Sequence, residues 1–174
     1  TLMSVNEAIN TFRKSGKWVA AYADSYAQGD YILASAADSL WLNPVGEVDI
    51  HGVGAGLFYF KGLLDKLGVD VQVFKVGTYK SAVEPFLLTQ PSEANIRQTR
   101  EYLDPIWADV RTVIAAGRNV SPETINTWAD SIIVTEDPAN YTDMNVVSSL
   151  RYRHDAEQLL KSMSGIDSDD ELRL

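Results

Sequence analysis

The chain has 174 residues, 45% of them apolar, enough for one ordinary domain with a hydrophobic core rather than a disordered segment. Its 15 basic and 24 acidic residues leave a formal charge of -9, a surface that repels phosphate backbones and argues against nucleic acid as a partner. With no cysteine, disulfides, thiolate metal sites and cysteine nucleophiles are excluded, and two histidines far apart in sequence, His51 and His154, make a poor zinc site.

In chain order, Val5, Ala8, Ile9 and Phe12 fall at helical spacing, and Ser15-Gly16 supplies a stop. Residues 18–22 form an apolar run expected as a buried strand. Asp24-Ser25 is expected to cap a helix extending to residue 37. Residues 40–42 read as a second short strand, ended by Asn43-Pro44. A glycine-rich stretch over 45–56 predicts turns, and residues 57–67 a helix with Leu57, Phe60, Leu63, Leu64 and Leu67 on one face, closed by Gly68. Residues 69–74 alternate with period two, as a half-buried strand does, and 77–85 read as a loop. Pro91-Ser92-Glu93 opens a long helix to residue 117, with Pro105 expected to interrupt or kink it. Ser121-Pro122-Glu123 is a helix start, 132–134 a short strand, and 151–163 a final helix. This order predicts an α/β protein with crossover helices over a largely parallel sheet. Asp167, Asp169, Asp170 and Glu171 make residues 165–174 an acidic, solvated tail after a domain covering 1–164. The longest apolar runs are too short to cross a bilayer, and the abrupt start suggests a chain excised from something longer.

The search for a nucleophile is mostly negative. There is no Gly-x-Ser-x-Gly elbow and no phosphate-binding glycine loop with a lysine after it. His154 lies among charges on a helix and reads as a surface residue, while His51 in its glycine-rich turn reads as a local hydrogen-bonding residue. Trp18, Trp41, Trp107 and Trp128 read as packing residues. One lysine differs. Lys80 comes after a predicted strand and is flanked by Tyr79, Val83 and Phe86, so partial desolvation can favour its neutral amine, the form a lysine general base needs. By itself this pattern fits an exposed loop lysine better, and Ser81, its neighbour in an extended loop, is a poor partner.

The segment Val76-Gly77-Thr78-Tyr79-Lys80-Ser81-Ala82-Val83-Glu84-Pro85-Phe86 resembles the lysine motif of the long, two-domain signal peptide peptidase A (protease IV) enzymes. Ser25-Tyr26-Ala27-Gln28-Gly29-Asp30-Tyr31-Ile32-Leu33-Ala34-Ser35, Trp41-Leu42-Asn43-Pro44-Val45-Gly46 and Leu63-Leu64-Asp65-Lys66-Leu67-Gly68 resemble parts of the N-terminal domain of the same enzymes. The resemblance implies a ClpP/crotonase-like spiral of strand–strand–helix units, here lacking its first strands. It also implies that Lys80 is the general base of a Ser-Lys dyad whose serine lies in a C-terminal domain. The helix start that carries the serine there is matched here by Ala27-Gln28-Gly29-Asp30-Tyr31, with Gln28 where the serine would be, and glutamine offers no nucleophilic oxygen.

The family further implies an endopeptidase that degrades cleaved signal peptides without metal or cofactor. It implies a homotetramer, anchored in the bacterial cytoplasmic membrane and facing the periplasm or cell exterior. Its partners are peptides and the C-terminal domain of the same protein. The residues 57–60, Leu-Phe-Tyr-Phe, can line an apolar substrate groove, although ordinary core packing is the expectation for such a run. Two other readings share the fold: a non-catalytic peptide-binding or assembly module, for which Gln28 speaks, and a crotonase-type acyl-coenzyme A enzyme, which the acidic surface disfavours.

Overall fold

A computed structural model describes residues 1–72 and 81–165. Helix α1 spans Leu2–Lys14, with the Thr1 side chain accepting from the Ser4 N–H. Strand β1 is Ala20–Ala23, helix α2 Gln28–Ala34 and strand β2 Ser39–Leu42. Helix α3 is Lys61–Lys66, a 3₁₀ turn covers Ser81–Val83, helix α4 is Glu84–Leu87 and helix α5 Glu93–Arg118. Helix α6 spans Pro122–Asp130, and 3₁₀ turns cover Ile133–Thr135 and Pro138–Asn140. Strand β3 is Ser149–Leu150 and helix α7 Arg153–Ser164. The chain divides into two compact units, one of Thr1–Gly52 with the chain from Asp109 onward, the other Val53–Ala108.

In the first unit β1, β2 and β3 form a parallel sheet in that order, with Ala20 opposite Ser39 and Trp41 opposite Ser149. A parallel pair needs a crossover, and α2 supplies it between β1 and β2. The core is apolar where sheet and helices meet: Tyr31 and Ile32 of α2, Leu40, Trp41 and Leu42 of β2, Ile114 of α5, Ile125 and Trp128 of α6, with Val48, Ile50, Val146 and Val147. Several of its buried polar groups are matched, although the buried Arg111 Nε has no hydrogen-bond partner among the described residues. The Tyr31 hydroxyl donates to the Val146 carbonyl at 2.5 Å and that of Tyr141 to Ile133 at 3.0 Å. Asn6 Nδ2 donates to the Ile32 carbonyl at 2.7 Å, tying α1 to α2. At the start of β2, Asp38 takes the Arg13 guanidinium at 2.6 Å and the Val19 N–H at 2.9 Å; the arginine first, with the backbone bond adding, holds its carboxyl below the ordinary range. Gly117 lets α5 approach the end of α2, since a Cβ there would lie 2.1 Å from the Ser35 carbonyl oxygen.

This is the expected ClpP-like α/β class, with local departures. No helix starts directly after Asp24. Its carboxylate is taken by Tyr22 and Asn43, and the chain bends at Asp24 before Tyr26, whose N–H and carbonyl pair with Glu47 and Asp49 beside Val48. Helix α2 therefore begins at Gln28 with Ala27 as an unassisted cap. The predicted strand over 132–134 is instead a left-handed residue, Ile132 at φ 54°, and a 3₁₀ turn that buries Ile133. The third place in the sheet goes to Ser149–Leu150, and the last helix starts two residues later than expected.

In the second unit the helix expected over 57–67 shrinks to α3, none of whose residues is buried. Gly68 does close it in a left-handed conformation. Residues 69–72 form no strand, and 73–74 lie outside the described residues. The expected loop is helical from Ser81. Helix α5 runs through Pro105 as one element; Glu101, whose carbonyl loses its bond to the missing N–H, is exposed and open to water. Residues 166–174, most of the predicted acidic tail, also lie outside the described residues. Among the described residues no helix is long and apolar enough to cross a membrane.

Candidate active site

Lys80 and the residues 73–79 before it lie outside the described residues. The C-terminal half of the same motif, from Ser81 to Phe86, is described. Within it Glu84, four residues beyond the lysine, is only 2% exposed. A buried carboxylate must be met by donors. The Ser92 hydroxyl donates to it at 2.6 Å, the Ser92 N–H at 3.2 Å and Asn95 Nδ2 at 3.0 Å. Ser92 Oγ in turn accepts from the Asn95 N–H at 3.2 Å. The carboxylate thus sits at the positive end of a 26-residue helix, α5, where the backbone dipole favours it. Around it the Phe60 N–H donates to the Pro85 carbonyl at 2.7 Å, and the rings of Phe60 and Phe86 stack at 5.8 Å. The Tyr59 hydroxyl is pushed up by burial first and by the Glu84 charge second, with Asn95 opposing.

Beside this cluster lies a cavity of about 280 Å³ lined by Ala55, Leu57, Tyr59, Pro91, Ile96, Thr99 and Arg100. Its mostly apolar walls suit an apolar side chain. Leu57, Phe58 and Phe60 are not core residues, as ordinary packing of that run required: Phe58 is 84% exposed. Leu57 and Tyr59 instead wall the cavity.

In the first unit, Gln28 opens α2 and is half-buried. Its Oε1 accepts from the backbone N–H groups of His51 at 3.0 Å and Gly52 at 2.9 Å, and its Nε2 donates to the Gly52 carbonyl at 2.8 Å. His51 is the local hydrogen-bonding residue its setting suggested, with Nδ1 3.0 Å from both oxygens of Asp49. His154 is exposed on α7. Among the described residues no group of histidines and carboxylates could hold a metal ion. At the carboxyl ends of β1 and β2, Asp24 Oδ1 accepts from Asn43 Nδ2 at 2.9 Å and the Tyr22 hydroxyl at 3.0 Å, which hold its carboxyl below the ordinary range.

The role of Gln28 was legible only as the lack of a nucleophile. Its engagement with the turn at 51–52 had no signal in the sequence, because the partners are 23 and 24 residues away. Glu84 left a faint trace: a carboxylate set between Val83 and Pro85-Phe86, with Ser92 and Asn95 at the next helix start.

A small parallel sheet among many helices defines an α/β domain consistent with the ClpP-like class. Comparison with known proteins narrows this. The model of peptidase family S49 matches residues 11–167, and the chain belongs to that family. It is 40% identical over 167 residues to protease 4 of Salmonella typhi, covering 92% of this chain and 27% of that protein. To protease 4 of Haemophilus influenzae it is 45% identical over 121 residues, 70% of this chain and 20% of the other. To the chloroplastic serine protease SPPA of Arabidopsis thaliana it is 22% identical over 168 residues, 97% of this chain and 24% of the other. The chain thus spans about a quarter of the length of these relatives.

Proposed function

We propose that this chain is the lysine-bearing part of a serine endopeptidase that degrades cleaved signal peptides. Lys80 is its general base, and the nucleophilic serine comes from a C-terminal domain of the same protein. The observation that carries the reading is the family match, which runs through the Lys80 motif and across nearly the whole chain. In the step proposed, the neutral Lys80 amine takes the proton of the serine hydroxyl as the oxygen attacks a peptide carbonyl. The resulting ammonium then returns that proton to the leaving amine. Gln28 supports the division of labour, since it has no nucleophilic oxygen and its amide is engaged by three hydrogen bonds. The apolar cavity beside Tyr59 supports an apolar peptide as substrate. The homotetramer, the membrane anchor and a catalytic part facing the periplasm or cell exterior belong to the same proposal.

The test is hydrolysis of a fluorogenic apolar peptide by the protein containing both domains, with Lys80→Ala and Lys80→Arg. Loss of at least about a hundredfold in kcat with assembly intact is expected, the range for removing a general base. Activity retained by Lys80→Ala supports instead a non-catalytic assembly or peptide-binding module, for which the loss of the nucleophile at Gln28 is the specific observation.

A further inference from the structure

The bonds of Gln28 do more than pin a turn. Two consecutive backbone N–H groups, those of His51 and Gly52, converge on one oxygen at 3.0 and 2.9 Å. Gly52 has φ +84°, a left-handed conformation open to glycine, and successive N–H groups in such a turn form a concavity for an electron-rich oxygen. Converging backbone donors of this kind also stabilise acyl oxygens in catalysis. The oxygen now held there is itself an acyl oxygen, that of the glutamine side-chain amide. The same amide donates from Nε2 to the Gly52 carbonyl at 2.8 Å, so two donors and one acceptor of the turn set its orientation.

We propose that the paired N–H groups of His51 and Gly52 form a receptor for a peptide carbonyl oxygen, which Gln28 keeps filled from within the same unit. Asp49 favours a neutral carbonyl over a carboxylate as the occupant. Its carboxylate lies 3.0 Å from the His51 ring, two residues before the donors, and sets negative charge beside the turn. The length of the occupant matters as well. Serine or alanine at position 28 is too short to present an oxygen to the turn, and glutamate would set a second oxygen against the Gly52 carbonyl where Gln28 places an N–H. Gln28 is therefore a stopper that closes this site to peptide. The receptor is built within the first unit alone and stands whether or not Lys80 is a base.

The test uses the 174-residue chain labelled with nitrogen-15. In the wild type, the His51 and Gly52 amides are expected to be protected from hydrogen exchange. In Gln28→Ala, that protection is lost, and N-methylacetamide, a probe of the peptide carbonyl, shifts both amide signals progressively. The shifts in the wild type are at least about tenfold smaller, the factor set by one ordinary hydrogen bond of competition. Gln28→Ser serves as the second variant if Gln28→Ala fails to fold. Unprotected His51 and Gly52 amides in the wild type overturn the proposal, as does equal titration of wild type and variant, or none in a folded variant. Shifts with sodium acetate but not with N-methylacetamide overturn the assignment to a neutral carbonyl.

Discussion

The close crossing of α5 over the end of α2 can be tested with one methyl group. In Gly117→Ala the new Cβ would lie 2.1 Å from the Ser35 carbonyl oxygen and 2.7 Å from its carbonyl carbon. Both are backbone atoms, so no rotamer change relieves the contact. Restoring even a tight 3.0 Å separation needs α5 or the end of α2 to retreat by roughly 1 Å through a close-packed interior. Overpacking of this kind costs about 1–3 kcal/mol, while the better helix propensity of alanine returns at most about 1 kcal/mol. Because both atoms met are backbone, the upper part of that range applies, about 2–3 kcal/mol, and the expected net loss is about 1–2 kcal/mol. Gly29→Ala, in α2 of the same unit, is the control. Its Cβ meets only Leu2 Cδ1 at 3.6 Å, an ordinary contact, and the change should be neutral or stabilise by up to about 1 kcal/mol. Urea unfolding monitored by tryptophan fluorescence and circular dichroism measures both. A midpoint for Gly117→Ala at or above that of the wild type would refute the close approach.

Tyr31→Phe should lower stability by about 1–3 kcal/mol, because the Val146 carbonyl loses the phenol that donates to it in a fully buried site; equal stability in urea would show that water or another donor replaces it. Burial, the first cause, raises the Tyr31 phenol above its ordinary value near 10, so its contribution is complete below that pH and is lost as pH climbs above it. The fall in stability between about pH 8 and about pH 11 should thus be shallower in Tyr31→Phe than in the wild type. Ser121→Ala should cost about 1 kcal/mol by removing the oxygen that accepts the Thr124 N–H at 3.1 Å at the start of α6, and Ser121→Asp should retain most of that stability; equal urea midpoints for all three would remove the cap.

The features legible in the residues alone were those whose causes are local. The helical spacing and the Ser-Gly stop of α1, the Ser121-Pro122 start of α6, the glycine after α3 and the apolar run of β2 each carry their signal within a few residues, and each is present. The α/β class came from their order. The family was legible in a run of eleven residues around Lys80 and in flanking matches.

Features that depend on partners far along the chain emerged only with folding. Residues 132–134 have the composition of a strand, yet their place in the sheet goes to a two-residue segment too short to show any periodicity. Asp24 looks like a helix cap until Tyr22 and Asn43 claim its carboxylate. Glu84 reads as one more acid among many until burial shows it bound by Ser92 and Asn95. Gln28 reads as a missing nucleophile until the turn at 51–52 folds back upon it, and only then does its amide have two donors and an acceptor to satisfy. Sequence records which groups a residue carries; folding settles which of those groups are taken from water and must be answered by another part of the chain.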